Sequence, residues 1–238
     1  MLNFASWDAL LRQYVDTQGR VDHYKWKKEQ PQAIHHWIKN LEKHIHLHDI
    51  KQDEKLALWI NLYNAFTISA ILESYPIKSI QPKILGIPNW LAFLSFFLKP
   101  AYSFAGKRYS LNQIEHNILR QEFQEPRIHF ALVCASIGCP LLRNNAYEPA
   151  SIHQQLDEEV SRFINNPDKV RYDSLTGTLY CSKIFKWYRK DFLQVALSIP
   201  EYIRTYLKTD APINSATPIA YLPYDWNLNQ QPRNKFLV

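Results

Sequence analysis

Cys134 and Cys139 stand five positions apart, and Glu115, His116, Arg127, His129 and Arg143 crowd the same stretch of chain. A thiol becomes a nucleophile when an imidazole, a cation or a helix N-terminus favours its thiolate. Cys134 closes an apolar run, Ile128 to Ser136, and leads into the tight loop Ile137-Gly138-Cys139-Pro140. Such junctions present functional groups on a rigid frame. The competing reading is a core cysteine, because free cysteine is among the most buried residue types. If the run is a strand, His129 and Cys134 point to opposite faces, since side chains alternate. His129 then reads as a core histidine satisfied by a carboxylate or backbone group, and His116 becomes the partner of Cys134. Glu115 cannot easily orient its own neighbour, because adjacent helical residues diverge by about 100°. Asn61, Asn64 or Asp225 would have to do so.

The chemistry this implies is cysteine-dependent hydrolysis or acyl transfer. Cys134 would attack an amide or thioester carbonyl, with His116 as general base and acid and Asp225 or Asn64 orienting the imidazole. Backbone amides of the Ser136–Cys139 loop would stabilise the oxyanion. Arg127 or Arg143 would hold a substrate carboxylate through bidentate bonds, with Asn61, Glu115, His129 and Cys139 lining the site. The alternative is a binding module without chemistry, in which the arginines and His116 grip an anionic peptide or metabolite and the Trp187-Tyr188 pair anchors a protein partner.

Other chemistries find little footing. Cys134-x4-Cys139 is not a zinc-knuckle spacing, and His44, His46 and His48 of the HIHLH segment, flanked by Lys43 and Lys51, read as solvated. GxGxxG, P-loop and GxSxG patterns do not occur, so neither metal nor cofactor is expected. Asp157, Glu158 and Glu159 read as the wet face of a helix. Lys plus Arg total 28 against 22 Asp plus Glu, a net charge of +6 without a run of five like charges. Nucleic acid is therefore not an expected partner, whereas a small anionic ligand or peptide is.

These residues need elements to position them. The 238 residues, 46% hydrophobic and with only 5 glycines, show no repeat or flexible linker and read as one domain over residues 1–238. Glu54 to Ser74 is apolar around almost its whole circumference, which predicts a central buried helix capped by Asp53. Asn61, Asn64 and Thr67 form one polar line along it, and buried amides require partners. Tyr102–Phe104 with Arg108–Tyr109, and Lys169–Tyr172 with Leu179–Ser182, read as hairpins. Ser110 and Gln113 form a capping box ahead of a helix carrying Glu115 and His116. Ile128–Ser136 is predicted as a buried strand, Pro149–Asn165 as an amphipathic helix, and Ile184–Leu193 and Glu201–Leu207 as short helices. A closing strand follows near Ile219. The sum is an α+β, helix-rich single domain around a small, mostly antiparallel sheet. The nine-residue apolar stretch Trp90–Leu98 is too short to span a bilayer, which takes about twenty residues, and is expected in the core rather than on a membrane surface. Asp8 and Arg12 interrupt the N-terminus too early for a secretory h-region, so a cytoplasmic chain with no membrane span is expected.

Five blocks of this chain, WINLYNAFTISAILESYPIKSI, YSLNQIEHNILR, PRIHFALVCASIGCPLLR with Tyr147 following, SKIFKWYRKDF and YLPYDWNLN, resemble the family called domain of unknown function 547. The resemblance runs from about residue 15 to 229. Its motif residues fall on Asn61, Asn64, Glu115, His116, Arg127, His129, Cys134, Cys139, Pro140 and Arg143, and on Lys183, Trp187, Tyr224, Asp225 and Trp226. The family carries no established reaction; many bacterial relatives have a secretion signal, and in plants the domain follows a leucine zipper. A motif set heavy in titrating, donating and accepting groups implies a site. A buried helix beside a small sheet with Cys, His and Asn or Asp is also similar in kind to papain-like or transglutaminase-like folds, by analogy alone.

Overall fold

Three tryptophans and two buried asparagines decide how the N-terminal half packs. The computed structural model describes residues 2–45, 47–84 and 87–232. Helices α1 (Ala5–Tyr14), α2 (His23–Glu29) and α3 (Ala33–Glu42) contribute Trp7, Trp26 and Trp37, which stack with Tyr14 into one aromatic layer. This layer covers α4 (Gln52–Ser74), whose residues from Leu56 to Ile68 are all buried. By length and composition α4 could cross a membrane, but 83% of its apolar window lies inside the fold. The helix begins before the expected Asp53 cap: Lys51 flanks it, and Glu54 reaches back to accept from the Lys51 N–H at 2.9 Å. It ends at Ser74, ahead of Tyr75-Pro76.

The two asparagines of the polar line on α4 serve backbone that has no regular partner. Asn61 accepts from Tyr147 N at 3.0 Å and from Trp7 Nε1 at 3.2 Å, and donates to Tyr147 O at 2.8 Å. Asn64 donates to Ala131 O at 2.9 Å and accepts from Val133 N at 3.0 Å. Thr67 donates to Tyr63 O within its own helix.

Beyond α4 the chain makes a small hairpin, β1 (Lys83–Ile84) with β2 (Ile87–Pro88), and then α5 (Trp90–Leu98). No residue of α5 is fully buried, which overturns the core assignment. The interior is already filled by α4, and α5 reaches it only through Phe93, Phe96 and Phe97. The hairpin of β3 (Tyr102–Phe104) and β4 (Lys107–Tyr109) forms as expected. So does the capping box: Ser110 and Gln113 exchange bonds of 3.1 and 2.9 Å at the start of α6 (Leu111–Gln113). The helix then continues as a π-helix, Ile114–Arg120, into α7 (Gln121–Phe123). π-Helical turns are rare and concentrate at functional sites.

Residues 128–136 do not form a strand. Pro126 and the Glu125 carboxylate, which accepts from Arg127 N, start a 3-10 helix over Pro126–Phe130, and irregular backbone follows. The run is buried, as its composition demands, but the Asn64 amide satisfies its backbone in place of a neighbouring strand. A single antiparallel bridge, Ser136 to Leu228, is its sheet-like pairing.

A 3-10 turn, Pro149–Ser151, leads into α8 (Ile152–Ile164), which buries Ile152, Leu156, Val160 and Phe163 as expected. Strands β5 (Val170–Asp173) and β6 (Thr178–Cys181) pair antiparallel, and β7 (Ile219–Tyr221) adds in parallel to β6. Helices α9 (Ile184–Trp187), α10 (Arg189–Phe192) and α11 (Ile199–Tyr206) enclose a second core of Phe130, Phe163, Phe185, Phe192 and Tyr202, which also holds Cys181. The result is a single helix-rich α+β domain. Its last described segment ties the parts together: Ile80 N bonds Trp226 O, Leu228 N bonds Lys78 O, and Asn229 N bonds Ala135 O.

Replacing Asn64 by Ala strands one buried carbonyl and one buried N–H. Each such loss costs roughly 1–3 kcal/mol, so Asn64→Ala lowers unfolding free energy by about 2–6 kcal/mol in urea titration. Thr67→Val, whose hydroxyl serves only its own helix, costs less than about 1 kcal/mol.

Candidate functional site

Cys134 occupies the irregular segment that Asn64 holds in place. The next residue, Ala135, has φ 62°, a left-handed conformation that a side chain adopts at some cost. This turn brings the Ser136 hydroxyl to 3.1 Å from Cys134 Sγ, with the Tyr224 hydroxyl at 3.5 Å. The Cys139 sulfur closes the loop, accepting from the Cys134 N–H at 2.8 Å. Gly138 is required here by space rather than by its dihedrals. A Cβ at this position would stand 2.8 Å from the Tyr224 ring and 2.9 Å from Asp225 N, so only glycine lets Tyr224 approach the thiol.

Two effects compete at Cys134. Burial works against the thiolate, but hydrogen bonds from Cys139, Ser136 and Tyr224 outweigh it and bring the pKa down to about 7. Burial drives Cys139 the opposite way, well above the ordinary thiol range, with the adjacent Cys134 adding to the rise. Cys139 thus stays protonated as a donor. Burial also keeps the Tyr224 phenol neutral, with a further upward push from Cys134.

The thiol opens on a cavity of about 420 Å³. One wall is aromatic: Trp90, Phe93 and Phe97 from the α5 segment, together with Trp187, Tyr224 and Trp226. Trp226 stacks on Trp187 at 5.9 Å and meets Phe93 edge-on at 4.9 Å. The other wall is a polar relay built on the π-helix. Glu115 accepts from the Tyr63 hydroxyl at 3.1 Å and the Tyr188 hydroxyl at 2.5 Å. Burial and this carboxylate raise both phenols, so they remain donors. Arg120 Nη1 lies 2.5 Å from His116 Nδ1, and its Nε and Nη2 clamp Asp191 at 2.7 and 2.8 Å. Asp191 also binds His129 Nε2 at 2.7 Å, and the His129 ring stacks on Tyr188 at 3.7 Å. Burial lowers the His129 pKa, partly opposed by Asp191.

This geometry sorts the expected site residues. Cys134, Cys139, His116, Glu115 and His129 line one cavity. The partners of the thiol among the described residues are the Ser136 and Tyr224 hydroxyls, the Cys139 thiol and the Ser136 backbone, not an imidazole. His116 does not fit the base role in the neutral ring: arginine only donates, so Nδ1 accepts and Nε2 carries the proton. Asn61 and Asn64 face away, holding loops, and orient no histidine. Asp225 accepts from Asn227 N and borders a separate cleft with Lys169. The expected oxyanion amides are already used, since Ile137 N, Gly138 N and Cys139 N bond Asn227 O, Asp225 O and Ser136 O.

Neither arginine reaches the cavity. Arg127 pairs with Glu125 at 2.5 Å and Asp157 at 2.9 Å; Arg143 pairs with Glu158 at 2.6 Å and Glu159 at 2.9 Å. The acidic triplet on α8 is therefore not simply a wet face: Glu159 is buried between Arg143 and Arg162. His44 and His48 are exposed, His46 lies outside the described residues, and no cluster of three or more His, Cys, Asp or Glu suited to a metal occurs among those described.

Sequence reasoning missed Tyr63, Arg120, Tyr188 and Asp191 as site residues. Asp191 stands 71 positions from Arg120 and 62 from His129, so no local spacing announces the relay. The mixed aromatic and charged KWYRKDF block was its visible trace.

A family model described as "Protein of unknown function, DUF547" matches residues 47–164. The chain belongs to this family. The match holds α4, the π-helix and both cavity cysteines, and stops before Tyr188, Asp191 and Tyr224, so it is shorter than the 15–229 span the sequence blocks imply. No curated protein and no solved structure matches the chain.

Alkylation of Cys134 by iodoacetamide on the native DUF547 chain rises with pH with a midpoint near the thiol pKa of about 7. Removing one donor, Tyr224→Phe, shifts the midpoint up by about one unit and slows labelling at neutral pH. Mass spectrometry of labelled peptides distinguishes Cys134 from Cys139, which stays unlabelled over the same range.

Proposed function

We propose that the chain is a cysteine-dependent acyl transferase or hydrolase, with Cys134 as nucleophile and a thioester as the favoured substrate. The observation that carries this reading is the Cys134 thiol, on a cavity with one aromatic and one polar wall and held by Ser136 and Tyr224 in surroundings that favour thiolate near neutrality. The thiolate attacks the carbonyl carbon; an acyl–sulfur bond forms as the bond to the leaving group breaks. A departing amine must take up a proton as it leaves, so amide cleavage needs an acid at that point. A departing thiolate needs none. With hydroxyls in place of an imidazole at Cys134, the site suits the thioester. The acyl group then passes to water or a second nucleophile, whose proton ends on the displaced thiolate, and the Cys134 thiolate is restored.

The polar wall completes the proposal. His116 presents Nε2–H, and this donor can hold the carbonyl oxygen in the role the loop amides cannot fill. Arg120 and Asp191 fix the ring, which makes them positioning residues. The alternative, a binding module for an anionic peptide or metabolite, draws less support because Arg127 and Arg143 are neutralised by carboxylates away from the cavity.

Incubation with S-acyl N-acetylcysteamine thioesters of increasing chain length tests the reading. Intact-mass spectrometry shows a single acyl adduct on Cys134, none in Cys134→Ser, and about fivefold slower acylation near pH 7 in Tyr224→Phe. His116→Ala slows acylation by roughly 10²-fold while leaving the iodoacetamide rate nearly unchanged, because alkylation develops no oxyanion. An adduct that persists in Cys134→Ser, or none with any chain length, overturns the proposal.

A further inference from the structure

The apolar helix α5 is displaced from the core, and its outward face is unusual for a surface. Trp90 is 57% exposed, Leu91 83%, Leu94 45% and Leu98 50%, with Ile87 at 70% just before the helix. Leu91, Leu94 and Leu98 are spaced i, i+3, i+7 and therefore share one side of the helix. The opposite side, Phe93, Phe96 and Phe97, packs inward against Trp226 and its neighbours. A continuous exposed apolar face of this kind marks an interaction surface rather than chance.

The charge around it indicates the partner. From Ser74 to Ile114 the sequence contains no Asp or Glu, yet it holds Lys78, Lys83, Lys99, Lys107 and Arg108. These five positive charges compare with a net +6 for the entire chain, so the basic excess is concentrated in the segment that carries α5. Lys99 caps the helix, and Lys107 and Arg108 sit on the hairpin that follows; all three are exposed. An apolar helix face with an interfacial tryptophan, in a stretch of sequence that carries basic residues and no acidic ones, is the pattern of an element that lies in an anionic bilayer surface. Glu42 of α3, which accepts from Ala105 N on the hairpin at 2.9 Å, is paired with Lys39. At nine residues, about 13 Å long, α5 can lie in that surface but cannot cross it.

We infer that α5 and its flanking basic residues dock the protein on an anionic membrane surface, with Leu91, Leu94 and Leu98 entering the headgroup boundary. Because Trp90, Phe93 and Phe97 line the cavity, the docked face lies beside the cavity wall nearest the bilayer. The inference stands apart from the chemistry of Cys134.

Co-sedimentation with phosphatidylglycerol/phosphatidylcholine vesicles and with phosphatidylcholine vesicles tests it. The expected result is at least tenfold stronger binding to the anionic vesicles, weakened by about 0.5 M salt. Leu91→Glu with Leu94→Glu reduces binding at least tenfold. Reversal of Lys99, Lys107 and Arg108 to Glu reduces it by about fivefold or more per position. Neither set touches the cavity lining, and unchanged iodoacetamide kinetics at Cys134 report that the fold is intact. Cys134→Ser binds vesicles as well as the native chain does, whatever becomes of the acylation experiment. Equal binding to both vesicle types, or no loss in the leucine variants, overturns the inference. A concentration-dependent dimer in sedimentation velocity that Leu91→Glu abolishes, without vesicle binding, assigns the face to a second copy of the chain and overturns it too.

Discussion

Two hydrogen bonds of the Asn64 side chain hold the irregular segment on which the candidate site depends. A buried helix offers no backbone groups to its surroundings, so an irregular segment packed against it would leave its own amides unpaired. Asn64 removes that cost by donating to Ala131 O and accepting from Val133 N. Asn61 does the same for Tyr147 one turn earlier. The segment is thereby released from strand geometry, and Cys134 emerges on a left-handed turn at Ala135 rather than on a pleat. The position of the thiol depends on the amides of α4, though neither asparagine touches it.

Much of the fold was legible because it follows from burial period and local chemistry. The all-round apolar α4, the Ser110–Gln113 capping box, both longer hairpins and the buried face of α8 each needed only short-range information. Ile128–Ser136 failed for an instructive reason. An apolar, β-branched run states that its residues are buried, not that a neighbouring strand exists, and here a side-chain amide supplies what a strand would have. The π-helix was equally invisible, because its residues are ordinary helix formers. α5 failed in the opposite sense: the core it was assigned to had already been filled by α4 and the tryptophan layer.

The site was legible as a neighbourhood and not as a set of contacts. Arginine beside cysteine and histidine suggested an anion grip, and the acidic triplet on α8 suggested a wet face. Each set is the answer to the other, since Arg127 and Arg143 meet Asp157, Glu158 and Glu159 across the fold. Charge pairing over such separations leaves no periodic trace. The same holds for the relay from His116 through Arg120 and Asp191 to His129, which joins three segments through one carboxylate. Parity arguments about Cys134 and His129 lost their premise once the strand was gone.

How the thiolate is stabilised sets the limits of its chemistry. An imidazole partner would supply both a base for the thiol and an acid for the leaving group. Ser136, Tyr224 and Cys139 supply hydrogen bonds without a transferable proton near neutrality: burial holds Tyr224 and Cys139 far above it. On the proposed reading, a nucleophile favoured in this way gains population but no acid, which is why that reading favours a leaving group that departs as an anion. The aromatic wall extends that selection from the bond to its substituent, because Trp187, Tyr224, Trp226 and Phe93 offer surface rather than charge to whatever is attached to the carbonyl. For the proposed reaction, a thioester meets the first condition, and an apolar acyl group in place of a short charged one would meet the second.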